Sequence, residues 1–465
     1  MPWRDQLVPA PMVRSAVVAP SSRLRAVLVE VADAGTFEPD APSESTGGPF
    51  AELVDAAHAD AAIPAQLSAE PVEPRQLEAL ADVGLMLGEA ALEEQMEAAA
   101  RTDRCAVLPG WITRRDLDDL RERIAPHGGA IAELPIRRGL MAPTAQNDGS
   151  VNTALRPLVT TYGTVPSRDL DPTLFAAVAY MVMFGMMFGD VGHGLAIVAI
   201  GIVAGRVHSE RWRTVHAAAP FLVGAGLAAT VFGFLYGEAF GPTGLVPTLW
   251  FRPLDDPTRL LIAGLIVGCV LLAITFALAV VNRWRESGPG VALYHASGIA
   301  GAALFVGVLT FVAGTATSTA WARSAGVAVF VIGVVLTFIG LIVAAGLSGS
   351  GIAEAIVEMF DTLLRLGSNI VSFARLAAFG LTHAVIAEVV WAGTVSLWSA
   401  ANPAASVGAV ALFAIGNVAA FALGALVGAI QALRLEYYEM FSHLFDGQGR
   451  PFTPWHIPTQ RLETP

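Results

Sequence analysis

Residues 368–384 read SNIVSFARLAAFGLTHA, an apolar, helix-compatible run with Arg375 near its centre. Placing a permanent cation in hydrocarbon costs at least about 2.5–3.5 kcal/mol. An arginine cannot escape that cost by losing its proton, because its pKa lies above about 12. It must meet an anion, a carbonyl or water at membrane depth, so this stretch bears on fold and function together.

The surrounding composition supports a membrane setting. The chain has 465 residues, 54% hydrophobic and 15% charged, with a mean hydropathy of +0.58, above the balance of a soluble domain. Residues 1–170 hold 15 Arg and 25 acids, a net charge of −10, whereas residues 171–465 hold 13 Arg and 15 acids, a net of −2. The first part therefore reads as soluble and the second as membrane-embedded. The overall charge of −12, without a basic patch interleaved with aromatics, argues against nucleic-acid binding. Cys105 and Cys269 have no metal or disulfide spacing, and no cofactor, metal site or catalytic group is expected. The opening MPWRDQLVPAPMVRSAVV is interrupted by prolines and charges, so no signal peptide is expected and the amino terminus is placed in the cytoplasm.

Within residues 1–165 the pattern predicts a small α+β domain built on βαβ pieces. Strands are expected at 14–19, 105–111 and 130–136, a helix at 21–33 ending at Gly35, and a second at 113–124 with Thr113 as N-cap. Residues 41–74 are expected to be a loop with a short helix, 75–102 a charged helix and 140–165 an irregular connector. Residues 166–465 predict a polytopic α-helical membrane domain. Eight transmembrane helices are expected near 173–189, 191–207, 217–239, 259–281, 291–314, 324–347, 353–397 and 404–440. Arg206, Arg211 and Arg213 follow span two and Arg283 and Arg285 follow span four, which puts those loops and both termini in the cytoplasm. A continuous helix over 353–397 would be about 67 Å long against a hydrocarbon layer of about 30 Å, so it must tilt, break or protrude. The fold expected is thus two long tilted C-terminal helices behind six ordinary spans.

On a helical projection Glu354, Glu358, Asp361, Arg365, Ser368, Ser372, Arg375 and His383 fall within about 60° of one line. The acidic end, with Arg365 four residues after Asp361, reads as a solvated face with an ion pair, but Ser368, Ser372, Arg375 and His383 lie deeper. Glu388 falls nearly opposite. A second cation stands in QALRLEYYEM (431–440), where Gln431 precedes Arg434 by three residues. Gly424 and Gly428, flanked by Ala420 and Ala432, permit close helix packing.

These motifs, with MFGMMFGDVGHG (183–194), FGFLYGEAFG (232–241) and DGQGRPFTPW (446–455), resemble the membrane subunit of rotary V-type and archaeal A-type ATPases, called subunit a or subunit I. The resemblance implies that Arg375 stands between two aqueous half-channels and faces a rotating ring of c/K-type subunits, with Arg434 assisting. It further implies peripheral-stalk subunits, a membrane-proximal central-stalk subunit and the lipid bilayer of the plasma membrane as surroundings. His383 matches a histidine of the family motif, and Glu388, Asn417, Glu436, Glu439 and His443 are expected as half-channel linings beside Ser368, Ser372 and Gln431. Glu238 is a candidate for an external entrance, and Asp190 and His193 for a structural turn. No phosphate-binding loop is present, so ATP chemistry is left to partner subunits. Two departures stand out: Gly424 occupies a position usually acidic in the family, ten residues before Arg434, and the soluble domain is short, with only 75–102 to stand for the family's long helical hairpin. An independent secondary transporter or channel that binds an anion at Arg375 is the alternative reading.

Overall fold

The alternating stretch at 14–19 forms β1 (Met12–Pro20), whose partners explain the whole α+β unit. In the computed structural model, residues 9–40, 50, 54, 63–80, 82–136, 140–145, 155–207, 213–400, 402–445 and 449–460 are described. Most of residues 41–62 of the loop expected over 41–74, part of the 140–165 connector, Arg211 and residues 446–448 lie outside them. The chain divides into two units, one drawn from Pro9–Asn147, Thr164–Ser167 and Gly449–Pro465, the other from Asp148–Gly163 and Arg168–Gln448.

In the first unit β1 is followed by α1 (Leu24–Ala34), then β2 (Phe37–Pro39), β3 (Leu67–Ser68), α2 (Pro74–Leu80), α3 (Val83–Ala98), β4 (Ala100–Arg101), β5 (Cys105–Thr113), α4 (Leu117–Ile124), β6 (Ala130–Glu133) and β7 (Thr459–Gln460). The main sheet runs β2-β5-β1-β6, and every pairing in it is antiparallel. Two βαβ pieces occur, each split by a third strand: β5 lies between β1 and β2, the latter not among the expected strands, and β1 lies between β5 and β6. Leu24, Val27, Leu28, Val31 and Ala32 make one buried stripe on α1, and Gly35, at φ +59°, ends the helix by donating its N–H to Val31 O.

Two local expectations need correction. Thr113 ends β5 instead of capping a helix; its hydroxyl donates to Asp116 Oδ2 at 2.6 Å and α4 begins only at Leu117. The helix expected over 75–102 is two helices, because the Asp82 side chain accepts from Leu85 N at 3.2 Å and starts α3.

The α+β unit also recruits residues 449–460, which the sequence reading assigns to the membrane domain. β7 pairs in parallel with β3, Trp455 N donates to Phe37 O at 2.9 Å and Ile457 N to Ala32 O at 3.1 Å. Ile457, 5% exposed, joins a core with Val27, Val31, Phe37, Leu67, Leu92 and Ile112. Arg450 pairs with the buried Glu38, whose other oxygen accepts from Thr453 N at 3.1 Å.

The second unit is helical: α5 (Thr173–Met187), α6 (Val191–Arg206), α7 (Arg213–Tyr236), α8 (Pro257–Ser287), α9 (Ile299–Ala316), α10 (Ala320–Ala345), α11 (Gly349–Ser372), α12 (Ala374–Ser399) and α13 (Pro403–Leu435). Among the described residues, six segments are long and apolar enough to cross a membrane, with α11 and α12 together making one of them; α5 and α6 are apolar but shorter. The chain is thus a multi-pass helical membrane protein. The segment expected as one helix over 353–397 breaks at Phe373, which is fully buried and ends α11 as α12 begins. α13 runs into a π-helical turn over Glu436–Phe441.

Close approach decides the packing around α5. Gly194 and Gly201 of α6 face α7, and a Cβ on Gly233 would stand 2.3 Å from Val191 N, so small residues are what let these backbones meet. α5 then packs against α7, α12 and α13, and is buried along most of its length. By contrast, Val343, Leu347, Phe360, Val371, Val389, Ile415 and Val418 are exposed, an outer apolar surface suited to lipid or another membrane protein.

Because Ile457 fills the first unit's core, Ile457→Ala should destabilise that unit by about 2–4 kcal/mol, read as a lowered denaturant midpoint at unchanged slope.

Candidate functional site

The site is built from the turn between α5 and α6 outward. Asp190 is fully buried and caps α6, its Oδ1 accepting from His193 N at 2.9 Å and from Phe240 N at 3.0 Å, while Oδ2 accepts from Gly241 N at 2.9 Å. One carboxylate thus ties the start of α6 to the turn after α7. Val191 N completes the clasp by donating to Glu238 O at 2.9 Å. Phe240 adopts φ +53°, a strained conformation for a phenylalanine, which these contacts hold in place.

His383 of α12 reaches the same place. It is 4% exposed, with its ring 4.7 Å from Phe188 and 5.5 Å from His193. Asp190, His193 and His383 offer ligand atoms that all lie within 4.8 Å of one another. The reading of residues 354–383 as one continuous polar stripe is corrected here: Glu354, Glu358, Arg365 and Ser368 are exposed, whereas His383, beyond the break at Phe373, turns into the protein. Asp361 and Arg365 do form the expected i,i+4 pair, at 2.6 Å.

α12 and α13 pack as an antiparallel pair. A Cβ on Gly416 would meet Val390, one on Gly393 would meet Leu412, and one on Gly424 would stand 2.7 Å from His383 Nδ1 and 2.7 Å from Phe188 Cε2. This register carries Arg375 to the level of Gln431 and Arg434. His383 and Phe188 thus occupy the space a side chain at position 424 would need.

Arg375 stands at the start of α12, half-buried, its Nη1 enclosed without a hydrogen-bond partner. With Gly367, Ser368, Val371 and Ser372 it lines an open cavity of about 510 Å³. Among the described residues no carboxylate pairs with Arg375 or Arg434 at ion-pair distance. Glu439 lies within hydrogen-bonding reach of Ser372 and within electrostatic range of both arginines. Arg434 is exposed, Gln431 half-buried, and Glu436 fully buried with both carboxyl oxygens unpartnered.

The remaining expected residues fall into two groups. On the α11 side, His443 Nε2 meets Asn369 Nδ2 at 2.7 Å; Asn369 is absent from the sequence-derived set, although it follows Ser368 directly. On the other side Glu238 is 4% exposed and interacts with Asp190, Arg252 and the exposed Glu388, while Asn417, 8% exposed, donates to Phe413 O at 2.9 Å. The structure therefore separates Ser368, Ser372, Gln431, Arg434, Glu436, Glu439 and His443 from Asp190, His193, Glu238, His383, Glu388 and Asn417, with Arg375 beside the first group.

Ahead of α5, Asp169 is fully buried beside Glu286 at the end of α8, and the adjacent Leu170 N donates to Asn282 Oδ1 at 3.0 Å. Burial first, then repulsion and hydrogen bonding from Glu286, push the Asp169 carboxyl up to about 7, with Arg283 and Arg285 opposing.

The fold defines a class: a multi-pass helical protein that carries Arg375 and Arg434 on its last two long apolar segments, together with a separate α+β unit. Residues 91–251 match the model of the V-type ATPase 116kDa subunit family. The chain is 28% identical over 427 residues to the A-type ATP synthase subunit I of Aeropyrum pernix, an alignment covering 78% of this chain and 59% of that protein. It is 26% identical to the A-type ATP synthase subunit I of Archaeoglobus fulgidus, over 75% of this chain and 58% of the relative. A shorter match, 27% identical over 33% of this chain and 20% of the relative, is to the human V-type proton ATPase 116 kDa subunit a 3. The resemblance to the V-type and A-type membrane subunit family is borne out, and the chain spans 59% and 58% of the length of the two archaeal relatives.

Two outcomes follow from this geometry. Asp190→Ala strands three backbone donors and should cost at least about 3 kcal/mol, measured as a drop in thermal stability of the purified chain, with Asp190→Asn less severe. Asp169 holds its proton to about pH 7 in the fold but loses it near its ordinary 3.8 when unfolded, so stability falls as pH rises between those values and levels off above about pH 7. The unfolding midpoint of the wild type should drop between about pH 5 and about pH 8, and Asp169→Asn should remove most of that drop.

Proposed function

We propose that the chain is the stator-type, ion-translocating membrane subunit of a V/A-type rotary ATPase or ATP synthase, without catalysis of its own. The observation that carries this reading is Arg375, a cation that cannot discharge, opening on a cavity of about 510 Å³ with no ion-paired carboxylate among the described residues. A fixed cation in that position suits an anion that comes and goes. A carboxylate carried past it by a ring of c/K-type subunits is favoured ionised beside the guanidinium and neutral in lipid, so each passage obliges it to release an ion on one side and reload on the other. The positive charge also bars direct leakage of a proton or sodium ion through the same gap.

The two polar groups serve as the half-channels in this reading. Ser368, Ser372, Gln431, Glu436, Glu439 and His443 line the path on the side of Arg434, and His383, Asn417, Glu388 and Glu238 line the opposite one. Eight crossings result when the shorter α5 and α6 are counted with the six longer spans. Support for an even number comes from the soluble unit: residues 9–40 and 449–460 share one folded unit, so the chain leaves and re-enters on one face. The arginines after α6 and at the end of α8 make that face cytoplasmic, in a plasma membrane. Peripheral-stalk subunits and a membrane-proximal central-stalk subunit are the expected soluble partners.

In the assembled complex, Arg375→Ala should reduce ATP-driven ion pumping into sealed vesicles to background, and Arg434→Ala should reduce it in part. Undiminished pumping by Arg375→Ala would sink the mechanism.

A further inference from the structure

The cluster at the α5–α6 turn has a donor set that ion translocation does not exhaust. We infer that Asp190, His193 and His383 form a binding site for one transition-metal ion of the Zn²⁺ class. This inference does not rest on the rotary reading.

Two imidazoles and one carboxylate are a recurrent donor set for zinc and its neighbours, whereas Mg²⁺ and Ca²⁺ favour oxygen-only shells. The ligand atoms lie within 4.8 Å of one another, with Asp190 Oδ1 and His193 Nδ1 3.7 Å apart. Ligands at about 2.0–2.2 Å around a tetrahedral ion stand roughly 3.4 Å apart, so closure needs the longest edge to shorten by little more than about 1 Å, within reach of imidazole rotation. All three residues are buried, at 0%, 2% and 4% exposure. Both ring nitrogens of His383 lack a hydrogen-bond partner in this enclosed place. Buried polar atoms are ordinarily satisfied, so an orphaned imidazole aimed at a carboxylate and a second imidazole needs an explanation.

The setting also suits a bound cation. Three backbone N–H groups hold the Asp190 carboxylate in one orientation and still leave it lone-pair capacity on Oδ2. Phe188 packs on both histidines, and Phe240 and Phe421 close on His193, so aromatic rings wall the imidazoles on several sides. The ion would replace a lone buried negative charge with a small net positive one spread over three ligands.

The test uses the untagged full-length chain in lipid nanodiscs, dialysed against zinc chloride and washed. Elemental analysis should find one zinc per wild-type chain, Co²⁺ should substitute with visible d–d absorption, and Mg²⁺ or Ca²⁺ should not compete. Loss of outer contacts alone weakens metal sites about 10–100-fold, so His383→Gln and His193→Gln should each weaken binding by more than about 100-fold, while His127→Gln, in the α+β unit, retains it. Zinc should raise the unfolding temperature of the wild type and leave both site variants unmoved. The zinc X-ray absorption edge of the wild type, which needs no variant, should report two imidazoles with oxygen. Stoichiometry in either site variant equal to wild type, no zinc retained by the wild type, or a shell lacking imidazole would each overturn the assignment.

Discussion

The Asp190 carboxylate is the contact on which the membrane unit depends. Deep in an apolar bundle a helix start and a sharp turn would both leave backbone N–H groups without water to bind, and each such group is costly to strand. By accepting from His193, Phe240 and Gly241, one side chain satisfies both ends of the α5–α6–α7 assembly. Glycines at 194, 201, 226 and 233 then allow α6 and α7 to approach until their backbones touch. That rigid trio gives α12 and α13 a surface to pack on, and the register of those two helices sets the level of Arg375. The cation is placed by a chain of contacts that begins at an anion on another helix.

Charge placement follows one logic across the unit. Asp190 is fixed, with its hydrogen bonds supplied by the backbone, while Arg375 has room but no ion-paired partner among the described residues. At Gly424 the same packing leaves no room for a side chain, since Phe188 and His383 take up the space beside it.

Much of this was legible in the sequence because it is periodic or local. The apolar spans, the polar face of α11, the i,i+4 pair of Asp361 and Arg365, and β1, α1 and β5 all come from patterns within one element. What escaped depends on partners distant along the chain. Nothing near Thr459 announces that it will pair with Leu67, and neither α1 nor α4 shows that another strand will be inserted between the two strands it joins. The break at Phe373 was allowed by length but not located, because Phe373 ends a helix through tertiary burial and not through a glycine or proline. The proximity of His193 to His383 was equally hidden: they belong to helices separated by most of the membrane unit, and periodicity put His383 on a face shared with exposed residues.

The return of residues 449–460 to the α+β unit has a consequence for how the molecule is made. The amino-terminal strands are synthesised first, but their core includes Ile457 and one of their strands pairs with Thr459 and Gln460. The β3–β7 pairing and the part of the core that Ile457 fills therefore form only after residues 457–460 have been translated. Until then β3 has no β7 to pair with and the hydrophobic core of the unit stays unfinished, so its last steps of folding wait on the most distant stretch of its own sequence.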